Sequence, residues 1–112
     1  MHFYMWRHPY TNMTCYGITG DTDNRKRTYQ GGNGFDIQWT YLVEGDAKEI
    51  RKLEKTLKQK IKEIESSRGI KISYGDYEWI SADVEYESIV QLVESFIEED
   101  NYKTLVLEYK EK

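Results

Sequence analysis

The chain has 112 residues and a formal net charge of -4. This length supports one hydrophobic core and therefore one domain over residues 1–112. A hydrophobic fraction of 38%, with ten tyrosines and three tryptophans, is enough to build that core and argues against wholesale disorder. Cys15 is the single cysteine, so an intrachain disulfide is excluded and a reducing compartment fits. No run approaches the roughly 20 apolar residues of a membrane span. His2 to Met13 lacks the apolar core of a secretory signal. The expectation is a soluble, cytoplasmic protein.

His2 to Arg7 and Met13 to Thr19 are aromatic-rich and flank a turn at Pro9, Tyr10, Thr11 and Asn12, so they predict a β-hairpin. Asp21 or Thr22 caps a short helix over Asp23 to Gln30. Gly31 to Gly34 stops that helix, and Phe35 to Val43 alternates as a third strand. Asp46 caps a long helix over about residues 47–66. Its apolar stripe is Ile50, Leu53, Leu57, Ile61 and Ile64, at spacings of three and four. Ser66 to Gly69 ends it. Ile70 to Tyr74 predicts a short strand or extended segment, Val84 to Glu98 a further helix, and Thr104 to Tyr109 a last strand. The fold class is α+β, with helices packed on a small, mostly antiparallel sheet.

Charge is uneven along the chain. Residues 45–70 carry eight basic and five acidic groups, whereas residues 71–112 carry four basic and eleven acidic. A phosphate-binding face would sit in the first two-thirds, with the last third acidic and solvated. The simpler reading of both runs is a solvated helix face.

Tyr4 lies thirteen residues before Gly17 in Tyr16-Gly17-Ile18-Thr19. Arg25 follows Gly17 by eight residues, Tyr29 follows Arg25 by four, and Glu54 lies on the long helix. In this order and spacing the chain resembles the GIY-YIG nuclease superfamily, in particular its small phage and bacterial single-domain branch. The resemblance covers about residues 2–65, the expected core. A looser similarity reaches Gly75-Asp76-Tyr77-Glu78-Trp79, and residues 70–110 form a C-terminal elaboration. Counting from Gly17, the family's second tyrosine falls on Cys15. In a regular strand the neighbouring Tyr16 faces the other way, unless a bulge before Gly17 turns it back. His2 and Phe3 stand where the first motif carries its glycine.

The resemblance implies metal-dependent endonucleolytic cleavage of DNA, with RNA as a second substrate class. Tyr4, Tyr16 and Tyr29 would surround the attacking water. Arg25 would counter charge on the phosphoryl oxygens, since a guanidinium stays charged and forks onto phosphate. Glu54 borders the apolar stripe and would hold Mg²⁺, or Mn²⁺, which keeps most of its shell as water and phosphate oxygen. Lys26, Arg27 and Lys58 are candidate nucleic-acid contacts. Selectivity would come from the domain itself, a homodimer or an accessory partner.

Each residue also has a plainer reading. The tyrosines suit strand packing, Arg25 to Arg27 suit a solvated cluster, and Glu54 suits an i,i+4 pair with Lys58. His2 and His8 lack the partners of a zinc site, so a surface or loop role is expected. Cys15 and the acidic balance favour, as an alternative, a fold-retaining module that binds nucleic acid or protein without turnover. A third reading is a nucleic-acid mimic built on the acidic last third.

Overall fold

The computed structural model describes the backbone of residues 1–30, 41–74, 79–97 and 103–107, and their side chains except at 26, 28–30, 74 and 103–107. The elements run β1 (His2–Arg7), β2 (Thr14–Thr19), α1 (Thr22–Gln30), β3 (Tyr41–Glu44) and α2 (Ala47–Arg68). They continue with β4 (Ser73–Tyr74), β5 (Trp79–Ile80), α3 (Tyr86–Phe96) and β6 (Lys103–Leu107). The strands form one sheet in the order β4-β5-β2-β1-β3-β6, antiparallel at every pairing. The fold is thus α+β, as the periodicities indicate.

The hairpin β1–β2 is in continuous register, from His2 opposite Thr19 to Arg7 opposite Thr14. Its loop is closed by the His8 N–H donating to the Met13 carbonyl at 2.8 Å. His8 Nδ1 accepts from the amides of Tyr10 and Thr11 at 3.1 and 3.2 Å. The loop role expected for His8 is therefore a specific one: its ring replaces missing backbone acceptors in the turn. Asn12 takes φ 60, which asparagine tolerates better than most residues.

Strand alternation sends Phe3, Met5, Tyr16, Tyr41 and Val43 to one face of the sheet. There they meet Ile50, Leu53, Leu57 and Ile61 of α2 and Tyr86, Ile89, Val90 and Val93 of α3. This is the main core. Tyr4, Trp6, Cys15 and Leu42 point to the other face, where Trp79 packs on them. Both faces of β1 are buried, which is why Phe3-Tyr4-Met5-Trp6 reads as an unbroken apolar run.

The long helix starts and stops where its caps dictate. Asp46 Oδ1 accepts from the Glu49 amide at 2.9 Å, satisfying an orphan donor. At the other end Gly69 adopts φ 66 and donates to the Glu65 carbonyl at 2.9 Å. That left-handed cap ends the helix at Arg68, two residues past the expected boundary. At α1, Asp21 rather than Thr22 is the cap, its Oδ1 accepting from the Asn24 amide at 3.0 Å.

Other elements also differ from the sequence expectation. The third strand spans Tyr41–Glu44, and the rest of its expected range lies outside the described residues, as does the glycine run 31–34. The third helix begins at Tyr86, because Ser81 Oγ accepts from the Asp83 amide at 3.2 Å and holds the preceding residues in a turn. The strand Trp79–Ile80 was not expected. Two residues are too few to show an alternating pattern. No helix among the described residues is long and apolar enough to cross a membrane.

Candidate active site

Tyr4 sits on β1, the strand flanked by β2 and β3, directly opposite Gly17. Its ring lies across the glycine. A Cβ placed on Gly17 would meet the Tyr4 phenol oxygen and lie 2.7 Å from Cζ, closer than real side chains approach. Gly17 therefore provides the bare surface on which the phenol rests, and the tyrosine and the glycine form one packing unit. Tyr4 is 3% exposed. Beside it on the same face are Cys15, opposite Trp6, and Leu42. Trp6 meets Trp79 edge-on, with ring centroids 5.5 Å apart.

The hairpin register carries a correction. With no bulge between His2 and Thr19, Tyr16 pairs with Met5 and points away from Tyr4. It is fully buried in the main core, tilted against Phe3 at 6.0 Å. Tyr16 thus does not join Tyr4, and its neighbours Cys15 and Gly17 are the β2 residues beside Tyr4 on that face. The sequence held this signal, since counting back from Gly17 selects Cys15.

Arg25 lies on α1, which leaves β2 through a short bracket. The Thr19 hydroxyl donates to the Asp21 carbonyl at 3.0 Å and accepts from the Asp21 amide at 3.1 Å. Arg25 is half-buried and makes no ion pair among the described residues. Arg27 is exposed. Tyr29 and Lys26 lie on the same helix, with side chains outside the described residues.

Glu54 is on α2, whose apolar stripe packs under the Tyr16 face of the sheet. The helix carrying Glu54 therefore lies on the opposite side of the sheet from Tyr4. The Glu54 side chain is 20% exposed, and its Oε1 is 3.6 Å from Lys58 Nζ. The i,i+4 pair foreseen as the plainer reading is present. The described residues thus bring Tyr4, Gly17 and Cys15 together and leave Glu54 and Lys58 as a separate pair.

Among the described residues no three His, Cys, Asp or Glu side chains form a metal-binding group. Glu54 alone suits a cation that takes a single protein carboxylate. Its oxygen is a hard donor, half-buried, and opposed only by an ammonium at 3.6 Å. An ion pair this loose and partly solvated contributes little and yields readily to a divalent ion.

Glu65, near the end of α2, is structural. Its Oε2 accepts from the Ile72 amide at 2.8 Å and from the Ser73 amide and hydroxyl at 3.1 Å each. Partial burial pushes the carboxyl pKa up, but these three hydrogen bonds and the nearby Lys71 outweigh it and hold the pKa below its ordinary value. The end of α2 is thereby tied to β4.

No protein-family model, curated protein or solved structure matches this chain.

Proposed function

We propose that this domain is a small metal-dependent endonuclease of GIY-YIG type that hydrolyses phosphodiester bonds in DNA. The observation that carries the reading is the packing of the Tyr4 phenol on Gly17. A glycine that leaves room for the phenol and fixes where it lies on the sheet is what a water-positioning tyrosine requires. The order hairpin, short helix, strand, long helix supports it, as does Arg25 on the helix that directly follows the hairpin.

In this reading Tyr4 orients the attacking water by hydrogen bonding from a rigid strand. Arg25 donates a planar pair of N–H groups to the phosphoryl oxygens as their charge develops. Tyr29, four residues on, lies on the same side of α1 as Arg25. Glu54 is the acid that the resemblance assigns to Mg²⁺ or Mn²⁺, which when bound would supply charge stabilisation at the leaving oxygen, although its helix lies across the sheet from Tyr4. Lys26 and Arg27 would steady the strand being cut. Action on RNA, a homodimer and an accessory specificity partner are compatible with the same chemistry, and a reducing cytoplasm suits a chain whose single cysteine is Cys15.

One observation favours a second reading, a binding module that has kept the fold and lost the chemistry. Cys15 occupies the second tyrosine position, and Glu54 is on a helix across the sheet from Tyr4.

Plasmid nicking by the purified protein, with Mg²⁺ or Mn²⁺ against EDTA, separates the two. Metal-dependent nicking that disappears in Glu54→Ala and falls at least a hundredfold in Arg25→Ala supports the enzyme, in line with the usual cost of removing one charge-stabilising donor (about 10²–10³). Absence of nicking on duplex and single strand, with chelator-insensitive binding, supports the module.

A further inference from the structure

The outer surface of α2 is a basic stripe that neither reading above uses. Lys48, Arg51, Lys52, Lys55 and Lys62 are all exposed. At about 100° per residue they fall within about 60° of one direction, roughly opposite the buried stripe of Ile50, Leu53, Leu57 and Ile61. From Lys48 to Lys62 the stripe is about 21 Å long, at 1.5 Å per residue. No acidic residue of the helix lies inside that arc. Asp46 caps the N-terminus, Glu54 turns to Lys58, and Glu65 is held by Ile72 and Ser73. Glu63, at the margin, is 3.8 Å from Lys60. The helix thus holds its acids at its ends and flanks and presents five of its eight cations as one row.

We infer that this row is a docking surface for the phosphodiester backbone of a nucleic acid. The inference rests on the nucleic-acid reading above and assigns it a surface. Charge complementarity selects the partner class. The stripe carries no aromatic or large apolar side chain to enter a lipid interface and no pocket residue to anchor a peptide. A row of lysines along a rigid helix matches a regular line of phosphates and reads no bases. It acts at the level of affinity and register, leaving chemistry to residues elsewhere.

The test is fluorescence anisotropy with a labelled 20-base-pair duplex and the matching single strand, in EDTA, across a salt series. Two double variants of equal charge change are compared, Lys52→Gln with Lys55→Gln on the stripe and Lys60→Gln with Arg68→Gln off it. Circular dichroism verifies that both remain folded. The stripe variant should lower the slope of log K against log salt by about two, since each phosphate contact contributes close to one. The off-stripe variant should leave the slope near wild type. Equal slopes for the two variants overturn the inference while the nucleic-acid reading stands. Wild-type protein that binds vesicles of anionic phospholipid and neither nucleic acid overturns it as well. The nicking assay judges the enzyme reading independently of either result.

Discussion

The Tyr4 ring lies directly over Gly17, where a Cβ would sit 2.7 Å from Cζ and closer still to the phenol oxygen. Any side chain at 17 must displace the phenol. Gly17→Ala should therefore move Tyr4, at an overpacking cost of about 1–3 kcal/mol. Nicking should fall with it. Gly20→Ala is the matched control, since nothing lies within 4 Å of a Cβ there. Thermal melts of both variants beside nicking rates check this. A Gly17→Ala protein with wild-type melting and wild-type nicking would show that the packing unit has no bearing on activity.

The opposite orientations of Tyr4 and Tyr16 separate their roles. Tyr16 is fully buried against Phe3 in the main core, so Tyr16→Ala should cost about 3–5 kcal/mol through the cavity it leaves. Tyr16→Phe keeps the ring and fills the same space, so it should change stability by no more than about 1 kcal/mol, with nicking within twofold of wild type. Tyr4→Phe should do the reverse, with folding nearly intact and cleavage impaired. Equal loss of nicking in the two phenylalanine variants would show that the face assignment does not govern function.

Much of this architecture was legible in the chain, and the reasons are local. The stripe from Ile50 to Ile61, the Asp46 cap and the Gly69 stop are helix signals written within a few residues of one another. The hairpin was readable from its aromatic runs and turn. The strand Trp79–Ile80 was not, because it is defined by pairing on both sides, with Cys15 and Thr14 some 65 residues away and with Ser73 and Tyr74. The candidate site was less legible than the fold. The resemblance picked out Tyr4, Arg25 and Glu54 as candidates, but which face each occupies depends on register and on how α2 lies across the sheet. Glu65 shows the same limit from the other side: its partners Ile72 and Ser73 follow the helix stop, so its role appears only once the chain has turned.

Glu65 makes stability depend on pH in a defined direction. Its pKa is held below the ordinary carboxylate value of 4.5, so folding favours the charged form. Its contribution is fully present above about 4.5 and is lost as pH falls through the lower, folded value. Glu65→Gln should therefore lower Tm by a constant margin from pH 7 down to about 5. The two melting curves should then converge as the pH drops below about 4.5. A margin that stays constant down to pH 3 would mean that the charge on Glu65 contributes nothing, and that the hydrogen bonds to Ile72 and Ser73 suffice.

Glu54 and Lys58 form a loose pair 3.6 Å apart on one side of α2, and the metal hypothesis can be tested there without any substrate. Removing Lys58 as Lys58→Ala withdraws a competing cation from the carboxylate. Partly exposed pairs of this kind contribute about 0.3–0.5 kcal/mol, so the variant should melt close to wild type in EDTA. In Mg²⁺ or Mn²⁺ it should gain Tm relative to EDTA, because a ligand that binds only the folded state stabilises it by mass action. Wild type should show a smaller gain and Glu54→Gln none. Calorimetric titration of the metal into the three proteins reads the same order directly. Equal metal-induced shifts in Glu54→Gln and wild type would remove Glu54 as the ligand, and the metal would then have to be held by residues other than this pair.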